Sequence, residues 1–176
     1  MKKSTILILG FVLLALIDSF VGYIFPIDYS FVEYSVVPHF CLIGTLIYVK
    51  DKEPLNRVLI GCLVGLCFDM LFTMSFPLDL VLFGLASYGI GFLEPWMKSR
   101  KIECLILLVF AFLYDFMPFI WDRLFNPDYA TFGLWFVRFE VITIVLNAGT
   151  IVFLKYVEEV MSRFFLIRSY RDKKIK

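Results

Sequence analysis

Six long apolar runs, separated by short polar or charged breaks, dominate the hydrophobic pattern of this chain. A helix needs about 20 apolar residues to cross the hydrocarbon core of a bilayer, and somewhat fewer where the bilayer adapts to it. The pattern therefore predicts an all-α integral membrane protein, with six transmembrane helices in a single domain over residues 1–176. The predicted spans are residues 5–25, 36–49, 55–74, 78–93, 104–120 and 132–156, followed by a basic tail over residues 157–176.

The distribution of lysine and arginine predicts that both termini lie in the cytoplasm. If the N-terminus is placed inside, all but Arg123 and Arg138 of the 17 Lys and Arg residues fall on the inner side. Cytoplasmic loops carry such an excess of positive charge, and a shift of one span would break the alternation. The run over residues 78–93 is short enough for a re-entrant hairpin, but the charge alternation favours full crossing by the third and fourth spans.

The start of the chain has features of a secretory signal peptide, because Lys2 and Lys3 precede an apolar run. No small-x-small cleavage site follows, however, and the run continues to Phe25. An uncleaved first span is therefore expected.

The composition excludes a water-soluble globular domain. The chain is 61% hydrophobic and 19% aromatic, whereas soluble domains are about 45–50% apolar. The tail mixes Phe164, Phe165 and Ile167 with basic residues. It is typical either of an interfacial helix on anionic lipid or of a simple positive anchor.

The sequence contains none of the common catalytic or metal-binding motifs: no nucleophile elbow, no HExxH, no Walker loop and no paired histidines. The four cysteines lie in or beside apolar runs without a CxxC pair, so we expect small buried hydrophobes rather than metal ligands or disulfides. His39 is alone, and we expect it to be a cap or an interface residue. We expect no enzymatic activity, no cofactor and no nucleic-acid partner.

Two aspartates, Asp69 and Asp115, lie well inside predicted spans, and Asp18 lies nearer the outer end of the first. An ionisable group at such depth costs roughly 3 kcal/mol or more unless it faces protein or water. An ion relay would need further polar groups, and Asn147 is the other polar residue at comparable depth. We therefore favour a structural interpretation, in which these carboxylates accept hydrogen bonds from hydroxyl or backbone groups.

Small residues at Gly61 and Gly65 lie one helical turn apart in the third span. Such a pair lets another helix approach closely, either within this chain or in a partner.

With this order of spans, the chain resembles the MreD family of integral membrane proteins, which belong to the bacterial rod-shape system. The resemblance covers nearly the whole length. It is carried by a proline opening the second span, by a G-x-x-x-G-x-x-x-D signature followed by a Pro-Leu turn, and by an aspartate in the fifth span. The residues are Pro38, Gly61, Gly65, Asp69, Pro77, Leu78 and Asp115.

One position departs from the family pattern. Asp79 follows the Pro-Leu turn where the family usually has Gly. Gly at this position would permit a close backbone approach, and Asp79 is instead a candidate cap of the fourth span.

The resemblance implies a non-catalytic scaffold in the bacterial cytoplasmic membrane. Its main partner would be MreC, and the complex would link cytoplasmic MreB filaments to the peptidoglycan polymerase and transpeptidase of lateral wall synthesis. The residues of the signature would serve helix packing or partner contact. Self-association stays open.

The alternative is a substrate-binding S component of an energy-coupling-factor vitamin transporter, a class of similar size with the same six-span architecture. Such a protein should present a polar pocket toward the outside. The candidates for it form an outer polar cluster of Asp79, Trp135, Arg138 and Glu140.

Overall fold

The computed structural model describes residues 3–72, 77–126 and 128–174, and most of these residues are helical, with no β-strand among them. The fold is therefore all-α. The helices are α1 (Lys3–Ile24), α2 (Phe40–Val49), α3 (Pro54–Phe72), α4 (Leu78–Leu93), α5 (Arg100–Phe125), α6 (Phe132–Trp135) and α7 (Val141–Lys174). A 3₁₀ turn, Glu94–Trp96, follows α4, and a π-helical turn, Phe136–Glu140, joins α6 to α7.

Four segments of the described chain are long and apolar enough to cross a membrane, which is consistent with a membrane protein. They are Thr5–Ile24, Leu78–Trp96, Arg100–Phe125 and Phe132–Phe164. α2 is apolar but has only 10 residues, and at a rise of about 1.5 Å per residue it is about 15 Å long. The second predicted span is thus shorter than expected, because residues 36–39 approach α2 in a non-helical conformation.

Contacts along α1 and α2 show that these helices are antiparallel. The Phe11 and Tyr48 rings are 5.8 Å apart. Near the opposite end of the pair, the Asp18 carboxylate accepts a hydrogen bond from the Phe40 backbone N–H. We call the end of the molecule near Lys50 the Lys50 end, and the opposite end the His39 end.

The α3–α4 hairpin continues this alternation. Arg57, at the start of α3, donates to the Val49 carbonyl at the Lys50 end. Asp69, near the end of α3, binds backbone N–H groups at the start of α4. α4 then returns toward the Lys50 end, where Gly91 lies against the Arg57 guanidinium.

The last two passes are α5 and the segment formed by α6, the π turn and α7. Glu103 of α5 pairs with Lys155 of α7 at the Lys50 end. At the other end of these two passes, Phe119 of α5 stacks on Trp135 of α6. Over the described residues, the helical segments therefore run six times between the two ends of the bundle, in alternating directions.

The core is centred on α2, in which seven of ten residues are buried. Leu42, Ile43 and Leu46 pack in one cluster with Phe83 of α4 and Leu107 of α5. A second buried cluster, Phe31, Phe119 and Trp135, closes the His39 end. The central helix is therefore enclosed by the other passes, which suits its short and apolar sequence.

The outward faces of the longer helices are apolar. Leu13, Leu105 and Val145 are 59%, 60% and 69% exposed, and many other large hydrophobic side chains share this exposure. Soluble proteins rarely expose contiguous apolar surface on this scale. The surface is therefore suited to hydrocarbon rather than to water.

The last helix extends beyond the end of the predicted sixth span. The sixth span was expected to end at residue 156, but α7 continues without interruption to Lys174. Its 34 residues make a helix about 51 Å long, so it extends beyond a hydrocarbon core of about 30 Å. Residues 73–74 of the third predicted span and residues 175–176 of the tail lie outside the described residues.

Candidate functional site

The carboxylate of Asp69 caps the start of α4. The backbone N–H groups of Asp79 and Leu80 donate to its two oxygens, at 3.1 and 2.8 Å. The first N–H groups of a helix have no partner within the helix, and Pro77 at the N-cap position makes no side-chain cap. Asp69 supplies from α3 the acceptors that α4 lacks, so its expected role as an acceptor of backbone hydrogen bonds is confirmed.

Gly61 and Gly65 lie directly against the backbone of α4. A Cβ atom on Gly65 would come within 2.8 Å of the Asp79 carbonyl carbon and 2.9 Å of Leu80 Cα. A Cβ atom on Gly61 would come within 2.7 Å of the Phe83 carbonyl oxygen. The α3 and α4 backbones therefore approach each other closely, and the glycines of α3 provide the space.

Among the described residues, the Asp79 carboxylate makes no hydrogen bond to the N–H groups of its own helix, so the expected cap is not observed there. Its carboxylate accepts a hydrogen bond from the Tyr114 hydroxyl, which connects α4 to α5. The Tyr114 ring also makes edge contacts with His39 and Phe83, with centroids 5.0 and 5.7 Å away. Asp79 therefore joins Asp69 in a polar connection that runs from α3 through α4 to α5.

His39 and Asp115 form a buried pair between α2 and α5. His39 Nε2 lies 2.7 Å from Asp115 Oδ2, and their side chains are 4% and 6% exposed. His39 was expected at an interface or as a cap. It occupies the N-cap position of α2, but its side chain makes no cap hydrogen bond and lies inside the bundle. Asp115 was expected to accept from hydroxyl or backbone groups, whereas its partner among the described residues is this imidazole ring.

The non-helical segment before α2 is held by side chains of α7. The Asn147 amide oxygen accepts from the His39 backbone N–H at 3.0 Å, and its amide nitrogen donates to the Val37 carbonyl at 3.2 Å. The Val37 N–H donates to Thr143 Oγ1. Pro38 has no N–H to satisfy. Side chains 106 or more residues away in sequence thus satisfy a buried stretch of irregular backbone.

Asp18 caps α2 as Asp69 caps α4. Its two oxygens accept from the Phe40 and Cys41 backbone N–H groups, each at 2.8 Å. In both hairpins, an aspartate near the end of the first helix satisfies the start of the second. This shared arrangement accounts for two of the four aspartates within the predicted spans, which are Asp18, Asp69, Asp79 and Asp115.

Glu140 lies at the edge of this polar network, in the π-helical turn, and is 1% exposed. Its Oε2 atom is a buried oxygen without a hydrogen-bond partner among the described residues, as are Ser87 Oγ and Thr150 Oγ1. Under the transporter alternative, Glu140 was a candidate member of the outer polar cluster. The structure places it inside the bundle.

The four side chains of the outer polar cluster have different neighbours. Asp79 binds Tyr114, and Glu140 is buried in the π turn. Trp135 is buried between aromatic rings, with Phe119 stacked on it at 4.6 Å. Arg138 lies over the Tyr34 ring, 4.7 Å from its centroid.

The loop between α1 and α2 covers the His39 end. Asp28 accepts backbone hydrogen bonds from Ser30, Val32 and Glu33, at 2.9, 2.8 and 2.7 Å. The hydrogen bonds from Glu33 and Ser30 lower the pKa of Asp28 to about 2. This turn brings Phe31, with a φ of 56°, into the buried aromatic cluster beside Tyr129.

A second charged group, not anticipated from the sequence, closes the Lys50 end. Glu103 accepts from both Lys50 and Lys155, and Glu158 contacts both lysines. Burial alone would lower the pKa of Lys50, but the hydrogen bond to Glu103 and the charge of Glu158 raise it. The group ties the end of α2 to α5 and α7.

Arg57 completes this end by capping α2. Its guanidinium donates to the Val49, Lys50 and Lys52 carbonyls, which lie at the end of that helix and just after it. The carbonyls at a helix C-terminus lack partners in the helix and carry partial negative charge. The central helix is therefore capped at both ends by side chains from other passes.

The polar groups described above bind one another or the backbone of this chain. The described residues contain no group of three or more His, Cys, Asp or Glu side chains placed to hold a metal ion. The four cysteines are free; Cys41 is buried, but Cys67 is exposed, unlike the expected buried hydrophobe. Comparison with protein-family models, curated proteins and solved structures finds no match to this chain.

Proposed function

We propose that this chain is an MreD-like scaffold of the bacterial elongation complex. In this proposal it is a non-catalytic protein of the cytoplasmic membrane with six spans and both termini in the cytoplasm. It binds MreC and helps to couple cytoplasmic MreB to lateral peptidoglycan synthesis. The Lys50 end then faces the cytoplasm and the His39 end faces outward.

The observation that carries the proposal is that the aspartates inside the bundle bind groups of this chain itself. Asp18 and Asp69 cap helices, Asp115 pairs with His39, and Asp79 binds Tyr114. Sites for small ligands are concave, with a few polar groups converging on the ligand. Carboxylates that bind the chain's own backbone and side chains favour a rigid body that presents its surface to partners.

The signature residues of the resemblance support the same role. Gly61, Gly65 and Asp69 all contact α4, and together they join α3 and α4 closely. Their function within this chain is to build one stiff hairpin. A scaffold needs such stiffness, because a partner helix binds best to a surface that does not have to be ordered on binding.

The proposed orientation is supported by the basic residues of the Lys50 end. Lys50, Arg57 and Lys155 meet there by direct contact with α2 or Glu103, and the basic turn before α5 lies at the same end of α4 and α5. The excess of Lys and Arg in short loops marks the cytoplasmic side.

The transporter S component is the competing function. It would require the outer polar cluster to converge on a ligand, and its four members instead have different neighbours. Among the described residues, no contact of these side chains favours a ligand site. The transporter function is therefore tested only as an alternative outcome of the experiment below.

The test is affinity capture of the tagged full-length chain from its own membranes in mild detergent, followed by mass spectrometry. A six-span protein with the same tag and matched expression is the control. Enrichment of MreC with wall-synthesis enzymes over that control supports the proposal. Capture of a transporter T subunit with two ATPases, or no enrichment of MreC at matched bait, overturns it.

A further inference from the structure

An open apolar groove runs between α5 and α7 on the outer surface of the bundle, with a volume of about 270 Å³. α5 contributes Cys104, Leu105 and Leu108, and α7 contributes Ala148, Ile151 and Val152. Lys101 lines the same groove at the Lys50 end. The groove is thus an apolar channel with one ammonium group at its mouth.

The length of the groove limits the kind of molecule that can bind in it. From Lys101 to Leu108 it follows α5 for seven residues, or about 10 Å. A partner helix would pack along several helical turns, whereas this groove is confined to about two turns of α5. The groove therefore suits a single hydrocarbon chain better than a partner helix.

The charges around the mouth leave Lys101 available. Glu103 and Glu158 are engaged by Lys50 and Lys155. Glu159 lies next to Arg100 and Arg163. Among the described residues, no carboxylate forms an ion pair with Lys101.

We propose that this groove binds one anionic phospholipid from the leaflet at the Lys50 end. Its acyl chain lies along Cys104, Leu108 and Ile151, and its phosphate binds the Lys101 ammonium. A lysine at this depth extends along apolar surface and places its charge at the headgroup level, where anionic lipids attract it. The proposal requires α5 and α7 to cross the bilayer, and it is independent of the scaffold role.

The test uses the full-length chain in mild detergent, depleted of lipid and then titrated with phosphatidylglycerol or phosphatidylcholine of identical acyl chains. Native mass spectrometry counts the bound lipids. We expect one phosphatidylglycerol to be retained in preference to phosphatidylcholine, and millimolar inorganic phosphate not to displace it. Equal retention of the two lipids, or displacement by phosphate alone, overturns the proposal.

Two pairs of variants locate the headgroup and the chain. Lys101→Gln should weaken phosphatidylglycerol binding about fivefold, the effect of roughly one lysine near an anionic surface. Lys98→Gln removes the same charge three residues away and should have little effect. Lys101 is exposed, so its replacement should leave the fold intact, and equal effects of the two variants would refute the headgroup assignment.

For the acyl chain, Ala148→Phe should fill the groove and reduce retention of both lipids. Val145→Phe adds bulk to the exposed face of the same helix at a residue that does not line the groove, and it should leave retention unchanged. Unaltered binding by Ala148→Phe would show that the chain lies elsewhere. The thermal unfolding midpoint of each variant is measured alongside.

Discussion

Single side chains in this protein act mainly by satisfying backbone groups far away in the chain. Asp18, Asp69 and Asn147 each bind backbone groups of a different pass. In a bilayer, irregular backbone is tolerated only where protein or water satisfies its polar groups. These residues therefore permit the non-helical approach to α2 and the tight turn into α4.

Asp69 gives the first test at this scale. Asp69→Asn keeps one acceptor oxygen and should lower the free energy of unfolding by about 1 kcal/mol, whereas Asp69→Leu leaves two buried N–H groups unsatisfied and should cost about 2–3 kcal/mol. The measurement is denaturant-induced unfolding in detergent micelles, with folded yield as a second readout. Equal losses for the two variants would contradict the capping role.

The His39–Asp115 pair gives a second test. Asp115→Leu and His39→Leu should each cost about 3–5 kcal/mol, because removal of one partner leaves the other polar group buried without its contact. The double variant should cost clearly less than the sum of the two, since both desolvated groups are gone. Additive losses in the same unfolding assay would mean that the two side chains are not coupled.

At the scale of elements, the structure is three antiparallel hairpins that share one short central helix. Among these hairpins, α3 and α4 pack most closely against each other, because glycines of α3 face the α4 backbone. α2 is enclosed by the others and capped at both ends. Its ten residues would be too few for an independent stable helix, so its stability comes from packing.

Gly65 tests the hairpin. Gly65→Ala should lower the thermal midpoint in detergent, and Gly65→Ile should lower it further, because the new side chain meets α4 backbone that cannot move aside. Gly149 is the matched control, since a Cβ atom there meets nothing within 4 Å. Gly149→Ala should be neutral or slightly stabilising through helix propensity. An equal response at both positions would argue against close packing at Gly65.

At the scale of the whole molecule, the alternating passes place the buried polar and charged side chains in two layers, one at each end of the bundle. The Lys50 end holds paired lysines and glutamates, and the His39 end holds the buried aspartates and the aromatic cluster under the first loop. An apolar surface surrounds both. The arrangement predicts that the two layers lie toward opposite sides of a membrane.

That orientation can be measured by labelling single cysteines in a variant without the four natural ones. In intact cells, a membrane-impermeant maleimide should label Tyr29→Cys, in the loop of the His39 end. Asp51→Cys, in the turn of the Lys50 end, should react only after permeabilisation. Both positions are exposed, so access depends on the membrane. Labelling of both from one side would mean that α2 does not cross.

The sequence by itself determined the all-helical class, the approximate bounds of the long helices, Gly61 and Gly65 as a place of close helix approach, and Asp69 as a hydrogen-bond acceptor. These follow from local signals: apolar runs, charged breaks, small residues at helical spacing and an isolated carboxylate within a span. Each signal lies within a few tens of residues, because helices form from local backbone bonds and hairpins join neighbours in sequence.

The tertiary structure alone decided which polar groups meet. His39 and Asp115 are 76 residues apart, and Lys155 and Glu103 are 52 apart; no periodicity relates the members of such pairs. Trp135 and Glu140, which were candidates for an outer polar cluster, are buried in the structure. The second helix is shorter than the predicted span and covers only Phe40–Val49, the part that the other helices enclose. The physical reason is that partners of buried polar groups are set by how whole helices pack, and sequence spacing along one helix does not record that packing.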